Sequence, residues 1–261
     1  MSSYSVLDTP LLLRYLFYPD PDFTPGPPNS FDLMVPVDKD EDGEIAVSCR
    51  FYPGNETWPW ILYFHGNGEV VSDYDDISPL YHREKLNLVV SDYRGYGASN
   101  GKPTFAGLIA DAHRVLKSIQ AELSNRGFPD KLFIMGRSMG SIPALELARS
   151  YPTELKGLII ESGFVCATRL ITHLKLPAPG LDLETVEQEC IEKARGITLP
   201  SLIIHGQYDN LVPLQEAKDL KTYLGSRHKE LLVIPDADHN NIMFMGGEKY
   251  FQAVHNFCYD N

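Results

Sequence analysis

The sequence has few cysteines, an excess of acidic over basic residues and no long apolar segment. Its four cysteines are scattered without a C-x-x-C pair: Cys49, Cys166, Cys190 and Cys258. This spacing predicts neither a disulfide framework nor a zinc site, so we expect buried, reduced thiols. Lys and Arg number 23 against 35 Asp and Glu, which gives a formal net charge of −12. Such a charge argues against nucleic acid and anionic membrane surfaces as main partners.

No apolar run approaches the length of a transmembrane helix. The N-terminal "LLLRYLF" is interrupted by Arg14 and follows Asp8, whereas a secretory signal peptide has a basic region there. We therefore expect a protein without a membrane span, located in the cytoplasm. Its 261 residues are enough to bury a substantial core.

The chain also lacks repeats and low-complexity linkers. The proline-rich segment 18–30 predicts an extended lead-in, so we expect an N-terminal extension over 1–30 and a single domain over 31–261. "FDLMVPV" and "IAVSCRFY" flank the acidic turn "DKDEDGE" and predict a β-hairpin. The turn matches the opening of a calcium loop, but Cys49 stands where the loop needs its bidentate Glu. We therefore predict no metal site.

Six short apolar runs follow, at 60–64, 86–91, 131–135, 155–161, 200–205 and 230–235. They are continuously apolar, as is typical of strands covered on both faces. From Phe105 to Leu123, apolar residues recur at helical spacing and predict an amphipathic helix. Alternation of strands and helices predicts an α/β fold, with a mostly parallel sheet and helices on both faces.

The residues just after each run are the candidates for a site, because ligands bind at the carboxyl ends of the strands in such sheets. Ser138 lies in "GRSMG", Asp209 in "HGQYD" and His239 in "DADH". A serine hydroxyl is a weak nucleophile until a base accepts its proton, and a histidine is suited to that task. A carboxylate then holds the imidazole in the correct tautomer. This pattern predicts a catalytic triad of Ser138, Asp209 and His239.

Asp209 has three rivals for the acid position. Asp236 and Asp238 lie beside His239, and Glu161 ends an earlier apolar run. We favour Asp209 because it follows a strand directly. The role of Arg137, next to the serine, stays open between packing and an acid partner, and that of Glu69 between a substrate cation and solvent.

An oxyanion formed at the serine needs hydrogen-bond donors. The backbone N–H of Met139, after the nucleophile, and that of Asn67, after the run at 60–64, are the predicted pair. By the same reasoning from strand ends, we expect His65 and His205 to hydrogen-bond the backbone of nearby loops. Tyr93, Arg94 and Tyr96 are expected to fix loops.

The motifs "YFHGNGE", "DYRGYGAS", "GRSMGS", "HGQYDNLVP" and "DADHN" resemble those of the α/β-hydrolases over about residues 31–258. The closest resemblance is to small serine hydrolases with little or no cap, including a group of acyl-protein thioesterases. It implies the α/β-hydrolase fold with an eight-stranded sheet, no cofactor, and the roles given above to Ser138, Asp209, His239, Asn67 and Met139. Residues 163–199, where many relatives insert a lid, are short, so we expect a minimal lid.

The sequence therefore predicts a serine hydrolase that cleaves carboxylic esters of a small-molecule or acyl substrate. Thioesters are the nearest alternative and peptide or amide bonds come third. A non-catalytic binding protein on the same fold is the alternative from another class. The oligomeric state and the acyl-chain length stay open.

Overall fold

The computed structural model describes residues 3–41 and 43–261. Its strands lie close to the apolar runs of the sequence. They are β1 (Phe31–Asp40), β2 (Gly43–Tyr52), β3 (Trp60–Phe64), β4 (Asn87–Ser91), β5 (Leu132–Arg137), β6 (Leu158–Glu161), β7 (Ser201–Gly206) and β8 (Lys229–Ile234).

Helices separate most of these strands. They are α1 (Pro10–Leu16), α2 (Ser78–Arg83), α3 (Phe105–Asn125), α4 (Ser141–Ser150), α5 (Ala167–His173), α6 (Leu183–Arg195), α7 (Leu214–Tyr223) and α8 (Ile242–Asp260). The helix expected over 105–123 is α3, whose buried face carries the predicted apolar residues.

The eight strands form one sheet in the order β1-β2-β4-β3-β5-β6-β7-β8. The pairs β1–β2 and β2–β4 are antiparallel, whereas β3–β4, β5–β6, β6–β7 and β7–β8 are parallel. This mostly parallel sheet with its helices confirms the predicted α/β-hydrolase fold. The chain divides into two compact units, one up to residue 132 and one from residue 133.

In the first unit, the N-terminal segment packs on the start of α3. The carboxylate of Asp8 accepts hydrogen bonds from the backbone N–H groups of Phe105, at 2.7 Å, and Ala106, at 3.1 Å. The rings of Tyr4 and Phe17 contact the ring of Phe105. These N–H groups belong to the first turn of the helix, where no carbonyl of the helix can accept from them, so the carboxylate of Asp8 serves as their acceptor.

The predicted hairpin is also present in the first unit, as β1 and β2. Its register shifts between Pro36 and Asp38, where β1 carries a bulge. The carboxylate of Asp38 lies 3.1 Å from the guanidinium of Arg94. Asp42, which the comparison with a calcium loop included, lies outside the described residues. Over residues 3–41 and 43–261, no group of three or more His, Cys, Asp or Glu side chains could hold a metal ion.

In the second unit, β5, β6 and β7 are buried along their whole length, whereas β8 at the sheet edge is half-buried. The helix α6 lies within the segment where a minimal lid is expected, and the side chain of Asp182 caps it by accepting from the N–H of Thr185. Lys193 of α6 forms an ion pair with Glu146 of α4. α8 contains a kink at Gly247, where φ is 46°.

The four cysteines are buried, reduced thiols, as expected. Among the helices formed by the described parts of the chain, none has the length and apolar character needed to cross a membrane.

Candidate active site

Ser138 lies on a sharp turn between β5 and α4. Its φ is 50°, in the left-handed region that residues with a side chain rarely adopt. A Cβ at Gly136 would lie 2.2 Å from the carbonyl oxygen of Gly140, so only glycine permits this close approach of strand to helix. The hydroxyl of Ser141 donates to the carbonyl of Ser138 at 2.6 Å and holds the turn. The structure thus has the strained strand–turn–helix that a nucleophile elbow requires.

Ser138, His239 and Asp209 form one hydrogen-bonded chain inside the second unit. The Oγ of Ser138 lies 3.1 Å from Nε2 of His239, and Nδ1 of His239 lies 2.7 Å from Oδ2 of Asp209. A carboxylate only accepts, so Nδ1 of the neutral imidazole carries the proton. Nε2 is then the acceptor and faces the serine hydroxyl. All three residues are buried, with 4–7% of their surface exposed.

Asp209 is held by the loop that follows β7. Its Oδ1 accepts hydrogen bonds from the N–H groups of Leu211, at 3.0 Å, and Val212, at 2.8 Å. One oxygen is therefore fixed by the backbone, and the other is directed at His239.

The three rival acids have other partners. Asp238 accepts from the N–H groups of Asn240 and Asn241 and caps its own turn, and Asp236 lies exposed with a φ of 59°. Glu161 is fully buried and pairs with Arg137. Among the four acids, it is Asp209 that the structure places against the imidazole of His239.

A second buried histidine lies on the other side of Asp209. His205 Nε2 donates to the carbonyl of Val212 at 2.8 Å and lies 3.5 Å from Oδ2 of Asp209. Burial lowers the pKa of His205 below its ordinary value, and this outweighs the hydrogen bond to Val212 and the nearby carboxylate. A neutral His205 thus supports the acid loop, in agreement with the predicted bond to loop backbone.

Arg137, whose role the sequence left open, has both of the roles considered for it. Its Nε lies 3.1 Å from a carboxylate oxygen of Glu161, and its Nη2 donates to the backbone carbonyl of His239 at 2.8 Å. Tyr250 of α8 donates its hydroxyl to the other oxygen of Glu161. Arg137 and Glu161 are paired residues at the ends of β5 and β6. This register, which the sequence does not show, is why the pairing could not be predicted.

In the first unit, the loop after β3 is held by its own polar side chains. The Oδ1 of Asn67 accepts from the hydroxyl of Tyr96 at 2.6 Å and from the N–H of Tyr18 at 3.0 Å. Its Nδ2 donates to the carbonyl of Leu16 at 3.1 Å. The oxyanion role predicted for Asn67 concerns its backbone N–H, and it stays a prediction, as does that of Met139, which follows Ser138 in the elbow.

The open question about Glu69 has a structural answer in the same loop. Its Oε2 accepts from the N–H of Gly66 at 2.9 Å and from the hydroxyl of Tyr74 at 2.8 Å. His65 contacts the carbonyl of Gly66, at 2.7 Å, and Tyr93 donates to the carbonyl of His65, at 2.6 Å. Glu69 therefore fixes this loop.

Arg94, in the loop after β4, has the loop-fixing role that was predicted for it. Arg94 forms a two-pronged ion pair with Asp111 of α3, with both N–O distances at 2.7 Å. Burial raises the pKa of Asp111, against the lowering effect of Arg94. Arg94, like Tyr93 and Tyr96, fixes its loop.

Comparisons with known proteins concern the family and the fold of the chain. The family model described as "Serine aminopeptidase, S33" matches residues 57–182. Human alpha/beta hydrolase domain-containing protein 17B is 30% identical over 222 residues, covering 81% of this chain and 70% of that protein. Protein bem46 of Schizosaccharomyces pombe is 27% identical over 214 residues, covering 79% of this chain and 69% of that protein.

Solved structures with the same fold include the Pyrococcus furiosus esterase Pf2001. It superposes with a TM-score of 0.72 at 18% identity and covers 93% of this chain and 98% of its own. A monoacylglycerol lipase of Paleococcus ferrophilus superposes with a TM-score of 0.63 at 18% identity, covering 83% of this chain and 99% of its own. At this identity the likeness concerns the fold, whereas the human relative establishes the family. The chain belongs to the α/β-hydrolases.

Proposed function

We propose that the protein is a serine hydrolase that cleaves carboxylic esters through an acyl-enzyme intermediate. The observation that carries the proposal is the chain of hydrogen bonds from Ser138 through His239 to Asp209, with the serine on a strained turn. Membership of a hydrolase family supports hydrolytic chemistry in general. The choice of an ester rests on the residues and on the resemblance described above.

In the proposed reaction, the Oγ of Ser138 attacks the ester carbonyl while Nε2 of His239 accepts the hydroxyl proton. The carbonyl oxygen becomes an oxyanion, for which we propose the N–H groups of Met139 and Asn67 as donors. When the tetrahedral intermediate collapses, His239 returns its proton to the leaving alkoxide, and the alcohol departs. Water then attacks the acyl-enzyme by the same route, which releases the acid and restores the serine.

Asp209 acts on the imidazole throughout these steps. Its contact with Nδ1 fixes the tautomer in which Nε2 can accept a proton, and its charge stabilises the imidazolium that forms. The two backbone bonds to its other oxygen keep the carboxylate oriented. Its burial excludes water from the contact with the imidazole.

A fluorophosphonate probe tests the proposal directly, because it reacts covalently with activated serines. We expect one adduct on Ser138 in the folded wild-type protein and none in the Ser138→Ala variant. Ester turnover should fall by about 10⁴- to 10⁶-fold in that variant. Ser150→Ala is the matched control, since this exposed serine at the end of α4 bonds Glu146 and is outside the turn of Ser138. Absence of an adduct in wild-type protein would favour a binding protein on the same fold.

The substrate class needs a separate assay. A series of nitrophenyl esters graded by acyl length, acyl-thioesters of the same lengths and an amino-acid anilide would be compared by kcat/KM. We expect the esters to give the highest values. A thioester preference would support the nearest alternative, and anilide hydrolysis would support the activity that the name of the family model carries. The expected cytoplasmic location stays a prediction.

A further inference from the structure

We propose that Arg137 is a positioning residue that sets the distance between the nucleophile and the base. This inference rests on the proposed function. Arg137 directly precedes Ser138 in the chain, and its side chain reaches the backbone of the histidine that faces that serine. The structure assigns it a role in catalysis that its place in "GRSMG" does not reveal.

The contacts of Arg137 join three elements of the second unit. Its Nη2 donates to the carbonyl of His239 at 2.8 Å, and the same nitrogen lies 3.5 Å from the side-chain oxygen of Asn240. Its Nε is paired with Glu161, which also accepts from Tyr250 of α8. The guanidinium therefore ties the nucleophile strand to the end of β6 and to the histidine loop.

A rigid guanidinium is required for this geometry. Arginine presents its donors in a planar fork, so one side chain can serve a carboxylate and a carbonyl at fixed angles. Glu161 is fully buried, and Arg137 is 8% exposed. A buried ion pair holds its partners in place because separating them leaves an uncompensated charge.

Hydrogen bonds hold the histidine loop on both sides of His239, and Asp238 caps the turn that follows it. The loop connects β8 to α8, and Asp236 within it adopts a φ of 59°. The backbone N–H of Tyr208 donates to the carbonyl of Ala237 at 2.8 Å, which fixes the loop two residues before His239. The bond from Arg137 falls on His239 itself. Because the backbone is held at that residue, Nε2 stays at 3.1 Å from the serine.

A purely structural role would also reduce stability, so the experiment needs a matched arginine. Arg50 of β2 is 3% exposed, and it likewise combines carboxylate pairs with a bond to a backbone carbonyl. Its partners are Asp32, Asp75 and the carbonyl of Thr24. None of these partners belongs to the triad. Arg50→Met therefore measures what loss of a buried arginine does by itself.

Four variants are compared with wild type: Arg137→Met, Arg137→Lys, Arg137→Met combined with Glu161→Gln, and Arg50→Met. Tm, kcat and KM are measured for an ester, with active sites counted by fluorophosphonate. We expect both single Met variants to lower Tm by roughly 10 °C. Arg137→Met should also lower kcat by about 10- to 100-fold with KM within about two-fold, whereas Arg50→Met should leave kcat within about two-fold.

The double variant separates stability from positioning. It removes the buried carboxylate charge together with the arginine, so Tm should recover most of the loss, but kcat should stay as low as in Arg137→Met. Arg137→Lys should give an intermediate kcat, because an ammonium can reach one of the two acceptors. If kcat recovers with Tm in the double variant, or if Arg137→Met and Arg50→Met have the same kcat, Arg137 is structural and the inference is wrong.

An NMR measurement, which needs no substrate turnover, distinguishes failure of this inference from failure of the proposed function. The proton between Nδ1 of His239 and Asp209 should give a low-field NMR resonance in wild type. It should weaken or disappear in Arg137→Met and in the double variant and persist in Arg50→Met; an unchanged resonance in Arg137→Met and the double variant would contradict the inference. If wild type hydrolyses no ester and binds no probe, the proposed function fails, while this resonance still tests the positioning.

Discussion

The loop after β3 and the loops around Ser138 use their polar side chains in opposite ways. In the first, the side chains of Asn67 and Glu69 are bound to neighbouring groups of the protein, and they hold the backbone. In the second, the side chains of Ser138, His239 and Asp209 are joined in a single chain of hydrogen bonds. Under the proposed function, the first loop presents its backbone to the substrate, whereas the others present the reacting atoms.

Polar residues at strand ends are therefore not equivalent candidates for catalysis. A side chain with all of its acceptors used by the protein has no capacity left for a reacting atom. Mutations should therefore act differently in the two sets of loops: loss of reactive atoms abolishes turnover, and loss of a holding side chain reduces it.

The largest effect after loss of the serine is expected for Asp209→Asn. The amide keeps the shape, but the N–H groups of Leu211 and Val212 hold its oxygen, so its NH2 group faces Nδ1 and the imidazole would adopt the wrong tautomer. We expect kcat to fall by about 10⁴-fold. Asp238→Asn is the matched control, because Asp238 caps its own turn beside His239. If Asp238→Asn costs more activity than Asp209→Asn, the assignment of the acid is wrong.

A smaller effect is expected for Asn67→Ala. The substitution keeps the backbone N–H but removes the bonds to Tyr18, Tyr96 and Leu16 that hold it. We expect kcat to fall by roughly 10-fold, which is less than the loss of a whole oxyanion donor. Asn55→Ala, which removes an exposed side chain that caps a turn in the same unit, should leave kcat unchanged. Equal rates for the two variants would contradict a holding role for the Asn67 side chain.

The smallest effect is expected for substitution of His205. This residue lies beside the same carboxylate as His239, but its Nε2 bonds the backbone carbonyl of Val212. Its pKa is lowered by burial, so the folded protein disfavours the proton that the unfolded chain accepts below about pH 6.5. The free energy of unfolding should thus be fully retained above that pH and fall as pH decreases, by at most about 1.4 kcal/mol per pH unit for this group.

His205→Gln checks this prediction, since the amide can still donate to Val212 without titrating. Urea unfolding of wild type and variant at several pH values between about 5 and 8 gives the comparison. The variant should show the flatter dependence and a nearly unchanged kcat at neutral pH. The same slope in both proteins would mean that another group is responsible.

Most of the fold could be predicted because its central strands are buried on both faces. Such strands form continuous apolar runs, and β3 coincides with the run at 60–64. The catalytic candidates were identified from their position directly after the apolar runs, without any knowledge of the distances between their side chains. The short helix α5 and the kink at Gly247 in α8 were not predicted, although the pair Gly246-Gly247 is a local signal for the kink.

The part of the site that could not be predicted depends on pairing across elements. Arg137 and Glu161 are 24 residues apart, and they meet because β5 and β6 pair in one particular register. The same holds for Asn67, whose partner Tyr96 comes from a loop after another strand. A sequence shows which residues follow strands, but the register decides which of them touch.

The bulge in β1 has a consequence for association between chains. β1 is the first strand of the sheet and so offers a free ladder on its outer side. Pro36 lacks an N–H, the register shifts just after it, and charged residues end the strand. These are devices that prevent an edge strand from pairing with another molecule. The chain is thereby protected against growth of its sheet into a fibril from this side.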